Sequence, residues 1–231
     1  MTSLLEAGEI TVEGRLVDAS NATLFVSITD GHDSAKAIYK PVAGERPLWD
    51  FPDGNLANRE RAAFLIDRAL GFNHVPKTIL RDGPFGIGMV QQWIDIDEDI
   101  DLEEFFRRDD SQLREVALFD AIINNTDRKI GHLIPEKGGH LYICDHGVTF
   151  HEEDKLRTVL WQWAGQRLTT HEISLLESLR AFLENQEAAE LQELLTPDEI
   201  SAMKSRIAKL ISTSAFPEPN PEWPHIPWPP F

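Results

Sequence analysis

The spacing of apolar residues changes along the chain from strand-like alternation to helical periodicity, and this change limits the possible folds most strongly. Between residues 10 and 40, three short runs rich in β-branched and aromatic residues are separated by small polar turns. Such runs predict consecutive antiparallel strands. Beyond residue 100 the apolar residues recur mainly three and four positions apart, which predicts helices. The order of these patterns predicts an α+β fold, with a β-rich part first and a helical part after it.

One helix interrupts the predicted strands. Residues 57–70 carry an apolar stripe that includes Ala62 and Ile66, and Gly71 follows as a stop signal. Two more strands are expected over residues 77–81 and 88–94. We expect helices over residues 101–108, 112–124, 170–184 and 197–212, another helix near Lys155, and a strand over residues 141–144.

These elements predict two lobes and a tail. The N-terminal lobe covers residues 1–94, with β-strands and one helix, and the helical C-terminal lobe covers residues 95–215. Residues 216–231 are rich in proline and also contain Trp223, Trp228 and Phe231. Proline excludes a helix there. We expect a polyproline strip whose aromatic side chains pack back on the domain.

The charge balance narrows the classes of partner. The 231 residues include 22 Lys+Arg and 39 Asp+Glu, which gives a net charge of −17. This charge argues against nucleic acid and against anionic membrane surfaces, because both are bound mainly by basic side chains. One cysteine, Cys144, fits a reducing compartment. Without a membrane-spanning run or a secretory signal, the sequence predicts a cytoplasmic protein with no membrane span.

Two residues of the N-terminal part have the spacing of a phosphate-binding pair. Lys40 ends the third strand, where kinases place a lysine that binds nucleotide phosphates. Glu60 lies in the first turn of the following helix, from which it would face the sheet and pair with Lys40. Taken alone, Lys40 is equally consistent with a solvated lysine. Glu60 alone is equally consistent with a glutamate that stabilises the helix dipole.

Three polar positions in the C-terminal part are a stronger signal. Asp127 follows the long helix over residues 112–124, His132 comes five residues later, and Asp145 follows a predicted strand. Kinases place a catalytic Asp, a first metal ligand and a second metal ligand in this order. Asp127 would orient and deprotonate a hydroxyl group, and His132 and Asp145 would bind a divalent metal. Lys129 would neutralise the transferring phosphoryl group.

At these segments the chain resembles the atypical kinases that include the phosphatidylinositol kinases and the HipA-type bacterial protein kinases. It is more closely similar to an uncharacterised actinobacterial family described as phosphatidylinositol kinase-like. The resemblance extends from about Gly14 to Phe231, and the segments that carry it are residues 37–60, 81–86, 127–132 and 227–231.

The resemblance implies a bilobal protein-kinase-like fold that binds ATP and Mg²⁺ or Mn²⁺ between its lobes. Matched to the family, Lys40 is the phosphate-binding lysine, Glu60 its partner, Asp127 the loop aspartate and Asp145 the metal-binding aspartate. The remaining candidates are Ser20 and Asn21 around the phosphates, and the hinge residues Gln91, Gln92, Trp93 and Ile94, whose backbone would contact adenine.

Two departures from the family pattern open an alternative. His132 stands where the family has a metal-binding Asn, although Mg²⁺ prefers oxygen ligands. An imidazole ligand would also make metal binding fall as the pH drops through the usual histidine range near ~6.5. Residues 17–22 replace the glycine-rich loop over the phosphates. The alternative is therefore a pseudokinase, a nucleotide-binding regulatory module without turnover.

The phosphate acceptor and a third function class remain open. Residues 152–154 are consecutive acids shortly after Asp145, which disfavours anionic lipid headgroups. We therefore expect a hydroxyl group on a protein or on a soluble small molecule. The third class is a metal-dependent hydrolase that would use a cluster of potential ligands, namely His132, His140, Cys144, Asp145, His146 and His151.

Overall fold

The computed structural model describes residues 2–16 and 21–231, and its N-terminal part is built around an antiparallel sheet. The elements there are α1 Thr2–Ala7, β1 Glu9–Arg15, β2 Leu24–Thr29, β3 Ser34–Pro41, α2 Leu56–Leu70, β4 Thr78–Gly83 and β5 Gly86–Gln92. The strand order is β1-β2-β3-β5-β4. Alternate residues of β2 are buried, as a sheet with one covered face requires. The five predicted strands are therefore confirmed.

Helix α2 begins and ends at the residues that its sequence indicates. The side chain of Asn55 accepts a hydrogen bond from the backbone N–H of Asn58, which caps the first turn. Gly71 ends the helix with φ = 76°, a left-handed conformation that glycine adopts at little cost.

Helix α2 packs on the helical part of the chain as well as on the sheet. Its buried residues Ala62, Ala63, Ile66 and Leu70 belong to the same apolar core as the C-terminal helices. The strands and α1 form a second, smaller core. The division of the chain at residue 94 stays a prediction, since α2 belongs by contact to both parts.

The C-terminal part is mainly helical, as predicted. Its elements are α3 Leu102–Phe105, α4 Ser111–Ile123, β6 Leu133–Pro135, β7 Leu141–Ile143, α5 Thr170–Phe182, α6 Ala189–Leu194 and α7 Pro197–Thr213. Helix α7 starts with Pro197 and a capping box between Thr196 and Glu199. Among the described residues, no helix combines the length and the apolar character needed to cross a membrane.

The predicted helix near Lys155 is wrong. Residues 151–169 contain no helix. The backbone of residues 157–159 pairs with the loop after α4 instead of forming helical hydrogen bonds. Arg128 and Thr158 form a parallel bridge, and the Thr158 hydroxyl donates to the carboxylate of Asp120. The sequence also failed to predict α1, β6 and α6, which are too short for a clear period.

The tail packs against the domain through its backbone and through one of its tryptophans. The carbonyl oxygen of His225 accepts the N–H of Thr158 at 3.1 Å. The Trp223 ring lies 5.0 Å from the guanidinium carbon of Arg157. Trp228 is 88% exposed, so the expectation of inward-packed aromatic side chains holds for Trp223 and fails for Trp228.

Candidate active site

Lys40 joins two carboxylates from distant parts of the chain. Its Nζ donates to Oε1 of Glu60 at 2.6 Å and to Oδ1 of Asp145 at 2.9 Å. Strand β3, helix α2 and the residue two positions after β7 each contribute one of these groups. The side chain of Glu60 is almost fully buried, whereas that of Asp145 is 51% exposed. The predicted Lys–Glu pair is thus formed, with Asp145 beside it.

The charges of this triad stabilise one another. Burial alone would lower the pKa of Lys40, but Asp145 and Glu60 outweigh burial and raise it. Burial alone would raise the pKa of Glu60, but Lys40 lowers it. Lys40 also lowers the pKa of Asp145. All three groups are therefore charged at neutral pH, and the exposed Asp145 retains one oxygen for a cation.

Glu60 also fixes the segment after β7. Its second oxygen accepts the backbone N–H of His146 at 3.0 Å. The Nε2 atom of His146 faces a guanidinium nitrogen of Arg128 at 2.8 Å, and burial lowers the pKa of His146. A neutral His146 therefore connects the Glu60 contact to the loop that contains Asp127.

The loop that carries Asp127 is anchored by a buried ion pair. Arg128 Nη2 donates to Oδ1 of Asp120 on α4 at 3.0 Å, and both side chains are fully buried. Arg128 Nη1 also donates to the carbonyl of Cys144 at 2.9 Å, beside Asp145. Sequence reasoning gave Asp120 and Arg128 no role. The available signal was an Asp inside the apolar helix α4, because a buried carboxylate requires a partner.

Asp127 and Lys129 lie side by side on this loop. Lys129 Nζ is 3.6 Å from Oδ2 of Asp127. Burial raises the pKa of Asp127, while the charge of Lys129 opposes the increase. A carboxylate with a raised pKa is a stronger base when it is ionised. The arrangement allows Asp127 to accept a proton and Lys129 to face a developing negative charge.

The β6–β7 hairpin brings His132 to Asp145 across thirteen residues. Leu133 pairs with Ile143, and the N–H of Cys144 donates to the carbonyl of His132 at 3.1 Å. Nε2 of His132 is consequently 3.6 Å from Oδ2 of Asp145. Asp145 has φ = 62°, a conformation unusual for a residue other than glycine and concentrated at functional sites.

The protonation state of His132 bears directly on metal binding. Burial lowers the pKa of His132 to about 4, so its ring is neutral at pH 7. The backbone N–H of Lys129 points at Nδ1 from 3.4 Å, which favours a proton on Nε2. A metal on Nε2 requires the other tautomer.

Two adjoining cavities meet at Lys40, His132 and Asp145. The first has a volume of about 510 Å³, and its lining includes Asn21, Glu60, Asp127 and Lys129. The second has a volume of about 470 Å³, and its mostly apolar lining includes Ile38, Ile134 and residues 91–94. Every predicted site residue therefore lines one of the two cavities, except Ser20, which lies outside the described residues.

The hinge residues offer fewer free backbone donors than expected. The N–H groups of Gln92 and Trp93 donate to the carbonyls of Lys77 and Lys36. The side chain of Gln91 donates to Thr78. Within residues 2–16 and 21–231, the N–H of Ile94 has no protein partner, so this group is free to donate to a ligand or to water.

No protein-family model matches the chain. The chain is 41% identical over 264 aligned positions to Protein Rv2133c of Mycobacterium tuberculosis (strain ATCC 25618 / H37Rv), with 99% of this chain and 95% of that protein covered. The chain belongs to the Rv2133c family.

Solved structures similar to this Rv2133c-family chain are atypical kinases. The Golgi casein kinase with Mn/ADP bound has a TM-score of 0.57 at 15% identity, over 92% of this chain and 74% of that one. Another structure of the Golgi casein kinase has a TM-score of 0.52 at 15% identity, over 92% of this chain and 73% of that one. The Helicobacter pylori proinflammatory kinase CtkA has a TM-score of 0.50 at 11% identity, over 90% of this chain and 93% of that one. The predicted bilobal, protein-kinase-like fold is confirmed, and the finer resemblance to phosphatidylinositol kinase-like proteins stays a prediction.

In this Rv2133c-family structure, the side chains suggested for a metal-dependent hydrolase do not form one cluster, although His132 and Asp145 lie close together. His140 contacts the carbonyl of Asn73 through Nε2. His151 faces Lys155 at 3.0 Å. Burial raises the pKa of the Cys144 thiol to about 12, which disfavours a thiolate ligand. Across the described part of the chain, no group of three or more His, Cys, Asp or Glu side chains is placed to hold a metal ion.

Proposed function

We propose that this protein is an ATP-dependent phosphotransferase that transfers the γ-phosphoryl group to a hydroxyl group. The observation that carries the proposal is the position of Lys40, which contacts both Glu60 and Asp145 where the two cavities meet. The kinase-like fold supports it, and one similar structure holds Mn/ADP.

The cavity lined by residues 91–94 is proposed to bind the adenine and ribose of ATP. Its volume of about 470 Å³ and its apolar walls are typical of small-molecule sites. The N–H of Ile94 would donate to the base. Lys40 lines both cavities. Phosphates of an ATP whose adenine lies in the cavity of residues 91–94 would therefore reach the Lys40 ammonium group.

The other cavity is proposed to hold the acceptor and the transferring group. Asp127 takes the proton of the acceptor hydroxyl, and the acceptor oxygen forms a bond to the γ-phosphorus. The bond between that phosphorus and the β–γ bridging oxygen breaks, and ADP leaves with the electron pair. Lys129, beside Asp127, faces the negative charge of the transferring phosphoryl group.

The donors in the cleft suit a divalent cation that is held partly by ATP. Asp145 offers an exposed carboxylate, and His132 lies beside it. Two protein ligands are enough when phosphate oxygens supply the others, as is usual for Mg²⁺ bound with nucleotides. The cation would neutralise charge on the phosphates, and Asp145 would orient it.

The proposed acceptor is a protein or a soluble small molecule. Residues 152–154 are all exposed acids, and they come after β7 and Asp145 in the sequence. Their charge would repel the phosphate groups of anionic lipids.

One observation favours the pseudokinase as a second candidate. The N–H of Lys129 stabilises the His132 tautomer whose Nε2 carries a proton and does not bind metal. A protein that binds ATP without a second metal ligand would lose much of the charge neutralisation that phosphoryl transfer requires.

The test is incubation with γ-labelled ATP and Mn²⁺ or Mg²⁺, alone and with cell extract. We expect label on the protein, on another protein or on a small molecule, and no transfer by Asp127→Asn. Lys204→Ala is the matched control, because Lys204 pairs with Glu184 away from the cleft. ATP binding without transfer to any acceptor would favour the pseudokinase, and unchanged transfer by Asp127→Asn would refute the mechanism.

A further inference from the structure

Phe231, in the tail, forms part of the wall of the cavity proposed for the acceptor. Among the described residues that line this cavity, it is the one aromatic residue. Phe231 is 54% exposed, so its ring offers apolar surface that a ligand in the cavity can reach. Accessible aromatic surface beside a few polar groups is typical of small-molecule sites. The tail therefore supplies a surface for the acceptor as well as packing on the domain.

The ring of Phe231 is held against the loop that carries Asp127. The carbonyl of the preceding residue, Pro230, accepts the backbone N–H of Ile130 at 2.8 Å, which fixes the tail beside this loop. The ring itself packs over the next residue of the loop, since a side chain at Gly131 would begin 3.8 Å from a ring carbon of Phe231. Glycine thus lets the ring approach the backbone closely. Both the backbone and the side chain of the tail are placed at the cavity.

The polar groups needed for transfer line the same cavity. Asp127 and Lys129 precede Gly131 by four and two residues, and all three line the cavity together with Phe231. A hydroxyl group that reaches Asp127 is attached to a carbon skeleton that also lies in the cavity. Apolar carbons gain from burial against the ring, whereas further hydroxyl groups would lose water there without a new hydrogen-bond partner. The wall therefore discriminates between apolar and polar surroundings of the reacting oxygen.

We propose that Phe231 binds an apolar part of the acceptor. The acceptor is then a hydroxyl compound with a hydrocarbon chain or ring next to its reacting oxygen, and not a polyol that is polar on every side. This inference rests on the proposed phosphotransferase function and narrows its acceptor class. An aromatic ring suits the role because it offers a broad, rigid apolar face.

The test is a ¹⁹F NMR titration of the full chain in which Phe231 is replaced by 4-fluorophenylalanine. The probes are benzyl alcohol, which has a hydroxyl group beside an apolar ring, and glycerol, which is polar on every side. We expect a saturable shift of the fluorine signal with benzyl alcohol, and an affinity for glycerol that is about tenfold lower or weaker still. No shift with benzyl alcohol, or equal affinity for the two probes, would overturn the inference.

The matched control places 4-fluorophenylalanine at Trp228 instead. Trp228 is also an exposed aromatic residue of the tail, at 88%, but it is not among the described residues that line either cavity of the cleft. Its signal should not shift with either probe. An equal shift at both positions would show non-specific binding to exposed rings and would also overturn the inference.

Failure of the proposed function gives a different result. The incubation with γ-labelled ATP, divalent metal and cell extract is repeated with Phe231→Ala and with Trp228→Ala. We expect transfer to the acceptor to fall about tenfold in Phe231→Ala and to stay unchanged in Trp228→Ala. Saturable binding of benzyl alcohol at Phe231 in a protein that transfers no phosphate would support the apolar site and refute the phosphotransferase. Equal transfer by Phe231→Ala and the wild type, without a shift at Phe231, would do the reverse.

Discussion

His132 is the residue at which the chain departs most clearly from the kinase pattern. We predict that His132→Asn shifts metal preference from Mn²⁺ toward Mg²⁺, because an amide oxygen suits Mg²⁺ better than an imidazole does. The measurement is ATP affinity with each metal in both proteins. Identical preferences would show that His132 is not a ligand.

The structure also changes how metal binding through His132 is expected to depend on pH. Burial holds its pKa at about 4, well below the ~6.5 that the sequence suggests. The ring becomes charged only below this value, so its contribution to metal binding should be constant from about pH 5 to 8. A loss centred near pH 6.5 that disappears in His132→Asn would contradict the burial of the ring.

Asp67 on α2 should weaken the fold as the pH rises. Burial raises its pKa to about 6, and its Oδ2 has no partner in the described chain. The folded state therefore binds an extra proton between about pH 4 and 6, and stability decreases as the pH rises through that range. The difference between the pKa of Asp67 in the folded state, about 6, and its ordinary value corresponds to about 3 kcal/mol of stability.

The variant Asp67→Asn isolates this effect. Asparagine retains the oxygen that accepts the backbone N–H of His74 and removes the titration. Urea unfolding at pH 4 and pH 7 should show that the variant loses less stability than the wild type over this interval. Equal losses in the two proteins would contradict the assignment.

At the scale of elements, the ion pair between Arg128 and Asp120 joins the catalytic loop to α4. We predict that Arg128→Met destabilises the protein by about 3–5 kcal/mol, because it leaves Asp120 buried without a counter-charge. Urea unfolding measures the loss. Arg128→Met combined with Asp120→Leu should recover part of it, since the double variant removes both charges. A loss below about 1 kcal/mol in the single variant would show that water reaches Asp120.

The sequence predicted the elements that carry strong local signals. Strand β3, with Lys40 next to its last residue, follows from alternation, and α2 follows from its apolar stripe and Gly71. The spacing of His132 and Asp145 predicted that both serve one metal site, but the contacts that bring them together depend on the register of two three-residue strands, which local patterns do not encode. The contacts of Arg128 and Arg157 depend on burial and on long-range pairing, which local residue patterns do not encode.

At the scale of the whole molecule, the central claim is that both parts of the chain form one metal–nucleotide site. Lys40 comes from the sheet, Glu60 from α2, which belongs to the core of the C-terminal helices, and Asp145 from the end of the β6–β7 hairpin. A ligand bound to all three would therefore couple the sheet to the helical part. The tail contacts the helical part of this site in two places. Trp223 stacks on Arg157, and the carbonyl of Pro230 accepts the N–H of Ile130 in the catalytic loop.

The most direct test of this claim is calorimetric titration of the protein with ATP in the presence of Mn²⁺ and of Mg²⁺. We predict saturable, metal-dependent binding that weakens about tenfold or more in Lys40→Ala and in Asp145→Ala. Lys204→Ala should bind as the wild type does. No binding with either metal, or equal binding by Lys40→Ala and the wild type, would contradict the account.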